Sequence, residues 1–586
     1  MNSLVVIKNE LLALASPGAT FSFDQPEDIA HGDYATNIAL VLFATFTKTV
    51  DAHVGEITWV NKEYGNLTNP KDLAEKLKLK LMASLSEIVE KIEVAGPGFI
   101  NFYLKDDVRT DEVEELATHG VLRPLLDEQA LVEYTDPNCF KVFHIGHLMA
   151  NAIGESLSRI YETKGYDVTR VCYPSDIGRN VAMGVWGVMQ KENEKPKVEA
   201  TLQEKISFLG MCYAFANTQF ETNEQSKKEI IEVNKAIYSG SDIRVMEVYA
   251  EGRALSLEYF DSLYAKLGTT FDAFIYESEV SDPGLALVKE YLAKGVFEES
   301  DGAIVYKGEQ DGLHTRVFIN SEGLPTYEAK DLGNYQKKLE LLPNASHYVV
   351  VTASEQNEYF KVINTVTEKI HTHLQGKLTH ISHGMMRLST GKMSSRTGNV
   401  IGGEDLLSMI AEKIEEKVKD IRVSEENKAE LVNDIVVGAI KFSILKIAPG
   451  KDIIFDFEKS ISFEGDSGPY LQYTHARLSA LLDKAKDAGI SFDYGYVVDA
   501  PERELEKTLI GYQEVLEKAY RDLGPQHIIQ HLLLLTRVFN NLYARVQIVN
   551  VEDKDTSAYY VMLATASKAI LGHGLNTLGI KALERM

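Results

Sequence analysis

The sequence predicts a multidomain α/β protein: a parallel sheet with crossover helices at its centre, a small α+β module before it and an all-helical region after it. Three observations carry this expectation. The chain has 586 residues, too many for one ordinary core, and that length suggests roughly three to four domains. From about 120 to 400, strand-like and helical stretches alternate around charged helical insertions such as KENEKPKVEATLQEKISFL, the pattern of a parallel sheet joined by crossover helices. Beyond Gly403 strand signals nearly vanish and periodic helices run to the last residue, which predicts a helical bundle.

Each part has its own pattern. Residues 1–110 combine an amphipathic start, a helical run NIALVLFATFTKTV and a strand-like ending VAGPGFINFYL, as in a small α+β module. Residues 111–402 form the expected central domain and 403–586 the helical part. At the start of the central domain, Leu131 to Thr135 reads as a short strand closed by Pro137, whose ring favours an extended residue before it. Leu148, Ile153, Leu157, Ile160 and Tyr161 then recur at helical spacing, with Gly165 placed to end the helix. The run DVTRVCY reads as the next strand. No internal repeat or low-complexity linker interrupts the chain.

Composition excludes several classes. Apolar residues make up 45% and charged residues 25%, with a net charge of −25 from 61 basic against 86 acidic residues. That balance argues against a general charge-driven nucleic-acid binder and leaves room only for local basic patches. Cys139, Cys172 and Cys212 are too few and too scattered for a disulfide framework or a four-ligand zinc site, and read as buried hydrophobes in a reducing compartment. The N-terminal apolar run is broken by Lys8, Asn9 and Glu10, unlike a signal peptide. No stretch approaches the roughly 20 apolar residues of a membrane helix. A cytoplasmic protein is expected, with no membrane partner.

Two motifs carry chemistry. His144, Gly146 and His147, in HIGH, fall at the corner of a β-α-β unit, where free backbone N–H groups and the helix dipole favour an anion such as phosphate. Gly146 leaves the backbone bare for a flat ring such as adenine. The imidazoles would donate to triphosphate oxygens as charge builds at phosphorus. Far downstream, LSTGKMSSRTGNVIGG places Lys392, Met393, Ser394, Ser395 and Arg396 between Gly391 and Gly398, a cationic, hydroxyl-bearing loop that can close over a polyphosphate.

In this order and context, HIGH and KMSS resemble the two signatures of class I aminoacyl-tRNA synthetases. The wider stretch VEYTDPNCFKVFHIGHLMANAIGESLSRI looks like the arginyl-tRNA synthetase family, as do YPSDIGRNVA, GLPTYEAKDLG, VVVTASEQNEYF, FEGDSGPYLQYTHARL, the tail GLNTLGIKALERM and the N-terminal HGDYATNIAL and GPGFINFYL. The resemblance covers essentially the whole chain. It implies a Rossmann-type catalytic domain, an N-terminal domain that recognises the tRNA D-loop and a C-terminal anticodon-binding bundle.

The implied reaction joins arginine to tRNA in two steps. The arginine carboxylate attacks the α-phosphorus of ATP, giving arginyl-adenylate and pyrophosphate, and a hydroxyl of the terminal adenosine of tRNA(Arg) then takes the arginyl group. The protein aligns the reactants and neutralises the departing pyrophosphate, with Mg2+ sharing that load; no side chain is assigned as a metal ligand. The resemblance further implies that tRNA binds before arginine is activated. A guanidinium carries five donors in a planar fork and calls for a carboxylate with flanking oxygens. Asp331 and Tyr327, four apart in TYEAKD, share a helical face and can supply them. By resemblance these two contact the side chain, Asn138 and Gln356 the α-amino or carboxylate end, and Glu133 lines the pocket. The usual loop pattern is KMSKS; here Ser395 stands for its second lysine. Lys141, tied to the strand-helix corner, is expected to supply that charge, with Arg396 as its rival.

For tRNA the resemblance points to Tyr470, Tyr473 and Arg477, spaced along one helical face, joined by Tyr543 and Met586 at the anticodon, and to Phe99 and Asn101 at the D-loop. A monomer is expected. Two other readings stay open: a class I synthetase for another amino acid such as cysteine, against which TYEAKD and GPYLQYTHAR argue, and a catalytically silent tRNA-binding paralogue, against which the intact His144, Gly146, His147 and Lys392 count.

Overall fold

The computed structural model describes residues 2–15, 20–26, 28–50, 57–61, 64–389, 402–418, 425–498 and 500–586. Its centre is a five-stranded sheet of β1 (Gln129–Glu133), β2 (Asp167–Cys172), β3 (Ala273–Phe274), β4 (His347–Ala353) and β5 (Leu378–His383). The strands lie in the order β3-β2-β1-β4-β5, and every pair is parallel. Ala130 to Val132 and Tyr348 to Val351 are buried throughout, the run of apolar residues that a sheet covered on both faces requires. Because successive strands are added to opposite sides of β1, the chain reverses its winding between β1 and β4. A crevice therefore opens beyond the carboxyl ends of these two strands.

Sheet pairing of β1 stops at Glu133, two residues short of the expected strand end. Thr135 and Asp136 adopt φ of 86° and 43°, so the chain turns sharply before the helix Ile145–Thr163. That helix is buried along most of its length, because the sheet lies on one side and the C-terminal bundle on the other. Ser156 Oγ donates to Thr577 O at 3.1 Å, and Arg159 Nη1 to Asn576 O at 2.9 Å. Gly165, at φ 96°, follows its end as expected.

Two insertions interrupt the sheet. Between β2 and β3 stand the helices Arg179–Gln190, Leu202–Thr222, Glu224–Ser239 and Ile243–Leu267. Between β3 and β4 the helix Glu277–Ala293, a three-stranded antiparallel sheet and the helix Tyr327–Leu341 follow one another.

The N-terminal module holds a four-stranded antiparallel sheet built around Phe99–Leu104, with helices Ser3–Leu14 and Pro70–Ser84. NIALVLFATFTKTV is helical only over Ile38–Phe43; its β-rich end Thr47–Val50 is a strand, as β-branched residues favour. Helix Asp106–His119 leads into the central domain. The C-terminal third is helical, from Gly403–Val418 to Lys554–Thr577, and includes one strand, Ile453–Phe455, which pairs in parallel with Met386–Leu388.

Candidate active site

The HIGH corner is a reciprocal cap. His144 precedes the first helical residue, and its Nδ1 accepts the Gly146 N–H at 3.1 Å, while the His144 backbone N–H donates to Nδ1 of His147 at 3.3 Å. The rings stack with centroids 3.6 Å apart. Burial, helped by Lys141 and His383, pushes His144 down to about 4. Burial, then His144, Lys141 and His383, holds His147 well below the ordinary histidine range. Both imidazoles are therefore neutral near pH 7. Since each Nδ1 accepts, each ring carries its proton on Nε2. The corner offers two neutral N–H donors at a helix N-terminus.

Gly146 has a reason that the sequence did not disclose. A Cβ there would lie 2.9 Å from His144 Cε1 and 3.0 Å from Nδ1; the contact on that side is the imidazole rather than open space for a base. His383, at the end of β5, completes the corner, its Nδ1 2.8 Å from Gly384 O. Sequence reasoning missed it, although SHG stands just before the KMSS segment. The Lys141 ammonium lies 4.6 Å from the ring centre of Tyr213 in the helical insertion.

The second half of the crevice is acidic. Glu133, at the carboxyl end of β1, is 2% exposed, and its Oε2 accepts from Asn334 Nδ2 at 2.8 Å and pairs with Lys338 Nζ at 2.9 Å. Asp331 accepts the Tyr359 hydroxyl at 2.5 Å. Burial pushes Asp331 up to about 7; Tyr359 and Lys338 oppose this, and Glu133 and Glu277 add to it. Asp136 accepts the Tyr173 N–H at 2.7 Å, and burial, then Glu133, drives it well above the carboxylate range. Lys330 is paired elsewhere, 2.6 Å from Glu277. Three carboxyl groups thus face one ammonium, Lys338, among the described residues. Such a pocket is deficient in positive charge. Asp136, Tyr359, Asn334 and Lys338 were not singled out in the sequence; only the fold brings Asn334 and Lys338 to Glu133 and Tyr359 to Asp331.

The remaining predicted residues surround this pocket. Tyr327 opens the helix Tyr327–Leu341 one turn before Asp331 and is 54% exposed. Asn138 is half-buried and bridged to Ser175, beyond β2. Gln356 lies exposed at the turn after β4. Lys392, Met393, Ser394, Ser395 and Arg396 lie outside the described residues. Both ends of their segment are anchored: Ser389 N–H donates to Phe455 O at 2.9 Å, and Gly403 N–H to Phe143 O at 2.7 Å, where Gly402 bridges His144.

Three family models match consecutive parts of the chain: the arginyl-tRNA synthetase N-terminal domain over 5–104, the catalytic domain of class I (R) tRNA synthetases over 114–457, and the DALR anticodon-binding domain over 471–586. The chain belongs to the arginyl-tRNA synthetase family. An arginine–tRNA ligase of Flavobacterium psychrophilum is 30% identical over 551 residues, covering 89% of this chain and 90% of its own. One of Clostridium beijerinckii is 28% identical, covering 88% and 91%. The fold matches the arginyl-tRNA synthetase of Thermus thermophilus with a TM-score of 0.80 at 22% identity, over 99% of both chains. This arginyl-tRNA synthetase family member is therefore a class I ligase that charges tRNA with arginine at the expense of ATP. No helix among its described residues is long and apolar enough to cross a membrane.

In the C-terminal domain of this synthetase, the helix Gly468–Asp487 carries Tyr470, Tyr473 and Arg477. Tyr473 and Arg477 are exposed, and Tyr470 is half-buried with its hydroxyl accepting from Asn540 Nδ2 at 2.9 Å. The Arg477 guanidinium lies 4.0 Å from the ring centre of Tyr543. Met586 is half-buried against the core. Phe99 is 39% exposed, whereas Asn101, two residues along the same strand, is only 5% exposed. In the sheet Asn101 is paired with Ala35 on one side and Glu93 on the other.

Proposed function

We propose that Asp331 and Tyr327 receive the guanidinium of arginine in a pocket lined by Glu133 and Asp136, and that Asn138 and Gln356 hold its α-amino and carboxylate end. The observation that carries this reading is the surplus of buried carboxyl groups over Lys338. A planar, permanently charged fork satisfies that surplus and hydrogen-bonds two oxygens at once, which lysine's point charge cannot do. At the other half of the crevice, the neutral Nε2–H groups of His144 and His147 donate to the triphosphate without carrying charge of their own. They strengthen as negative charge develops at the α-phosphorus. Lys141 adds the positive charge that Ser395 cannot, and Lys392 with Ser394 closes the loop side.

ATP enters with Mg2+ on its phosphates, since Mg2+ is ordinarily held largely by phosphate and water. Tyr470, Tyr473, Arg477 and Tyr543 take unstacked anticodon bases by stacking and cation–π contact, with Met586 beside them. Phe99 meets the D-loop, and Asn101 supports the strand beneath it. The enzyme works as a monomer in the cytoplasm.

ATP–pyrophosphate exchange tests the scheme. Exchange dependent on arginine and on tRNA(Arg), absent with lysine or cysteine, is the expected result. Lys141→Ala should lower the exchange rate sharply; near-normal exchange would transfer the charge role to Arg396.

A further inference from the structure

Lys441 lies in the helix Glu425–Leu445 with its side chain fully buried. Its ammonium donates to two backbone carbonyls at 2.8 Å each: Leu267 O, at the end of the helical insertion, and Gly579 O, in the C-terminal tail. Glu155, on the helix begun by His144, stands beside it. A Cβ on Gly579, where φ is +67°, would fall 2.8 Å from Lys441 Nζ and 3.3 Å from Glu155 Cγ. Glu155 accepts from Tyr134 Oη at 2.6 Å and Arg159 Nε at 2.7 Å, with Arg170 Nε at 3.6 Å. Tyr134 follows Glu133 directly, and its ring fills the space that a Cβ on Gly154 would need. On its other side the tail is held by the helix of Tyr470 and Tyr473: Gln472 Nε2 donates to Lys581 O at 3.0 Å, and His475 Nδ1 to Leu583 O at 2.9 Å.

We infer that Lys441 is a positioning residue: it fastens the C-terminal tail beneath the helix begun by His144, so that the seating of the helix carrying Tyr470, Tyr473 and Arg477 sets how the two histidines and Glu133 stand. The inference rests on the reading of those three residues as tRNA contacts. Lys441 itself touches no substrate. An apolar side chain of similar length, without a donor, would leave the Leu267 and Gly579 carbonyls buried and unpaired, and the tail would lose its hold on the helix. A guanidinium can keep both bonds.

Protonation of Lys441 gives the inference a signature. Burial lowers Lys441 to about 8, against Glu155, which raises it, and with Arg159, which lowers it further. The groups facing it are Glu155 and Arg159 from the helix Ile145–Thr163, with Arg170 of β2 and Tyr134 on Glu155; the insertion and the tail contribute the Leu267 and Gly579 carbonyls. As the pH rises through about 8 the ammonium becomes an amine, its two bonds to the carbonyls weaken and its attraction to Glu155 is lost, and kcat should fall. Its effect on folding has the opposite sign: a lysine depressed from about 10.4 favours the folded, deprotonated state between those two values. A rate that falls while stability does not is a positional effect, not unfolding.

The experiment compares the full-length enzyme with Lys441→Met and Lys441→Arg, each normalised by active-site titration. Two tRNA(Arg) transcripts are used, one native and one with a substituted anticodon. Expected for K441M are a kcat at least about tenfold lower, KM for ATP and arginine within about threefold, and loss of the kcat penalty that the anticodon substitution imposes on the wild type. K441R should restore kcat and remove the fall above pH 8. A K441M enzyme that keeps both wild-type kcat and the anticodon penalty overturns the inference, as does a K441R enzyme with the wild-type alkaline limb. A wild type indifferent to the anticodon overturns the tRNA reading instead, and the pH profile of K441R then still decides for or against Lys441.

Discussion

A carboxyl group held near neutrality in an open pocket changes charge when its cation arrives, and Asp331 is such a group. Its value of about 7 lies above the ordinary 3.9 or so. In the free enzyme its contribution to stability is therefore present below about pH 4 and lost as the pH rises through about 7. Guanidinium binding favours the ionised form and expels the proton. Arginine should accordingly bind more tightly as the pH rises from 5.5 to 7.5, and raise Tm more at pH 8 than at pH 6. Calorimetry at pH 6 in two buffers of different ionisation enthalpy should detect the released proton. Equal heats in both would show that Asp331 does not meet the cation, and Asp331→Asn should abolish the dependence. The histidines predict the contrary behaviour for kcat. Both are neutral well below pH 6, so the exchange rate should show no inflection near 6.5. His147→Ala should lower kcat by about 10²–10³, the usual cost of a lost transition-state donor, with little change in KM for ATP.

Elements position these residues through backbone contacts that the sequence states only obliquely. Helices Glu277–Ala293 and Tyr327–Leu341 touch at two glycines: a Cβ on Gly284 would fall 1.9 Å from Ala329 O, and one on Gly333 2.2 Å from Val280 O. Tyr327, Asp331, Asn334 and Lys338 all ride on the second helix. Gly333→Ala must push it away from its neighbour, at a cost of about 1–3 kcal/mol. Urea denaturation should show that loss. KM for arginine should rise by about fivefold or more while KM for ATP stays put, because the HIGH corner belongs to another helix. The same contrast explains what could be read in advance. The placement of His144 and His147 at a helix start was legible because a strand-helix corner is local, and that of Tyr327 with Asp331 on one helix because four residues make about one helical turn. Lys338 on Glu133 and Tyr359 on Asp331 come from separate segments that only the fold joins. That Asn101 is only 5% exposed was likewise not legible in its own letter.

At the scale of the whole molecule, the N-terminal module and the C-terminal bundle meet through buried charge. Arg109, 3% exposed, reaches Glu506 at 3.2 Å and Asp33 at 3.5 Å and also pairs with Asp106. Glu506, fully buried, accepts in addition from Thr110 Oγ1 at 2.9 Å and Tyr559 Oη at 2.8 Å. Lys507 donates to Pro26 O and Gly32 O at 2.8 Å each. Thus the modules that carry the D-loop and anticodon surfaces proposed above are joined by these buried contacts. Removing one member of such a pair strands the other charge and typically costs about 3–5 kcal/mol. Arg109→Ala should lower Tm and raise KM for tRNA, while KM for arginine remains near wild type because the crevice lies in the central domain. The double variant Arg109→Met with Glu506→Gln, which also removes the fully buried carboxylate and leaves Asp33 and Asp106 without Arg109, should recover part of the stability lost by the single change. A double-mutant cycle then measures the coupling directly. If Arg109→Ala left both Tm and KM for tRNA unchanged, the two modules would be held by their other contacts, Lys507 on Pro26 and Gly32 among them, and the Arg109 network would have no part in spacing the tRNA surfaces.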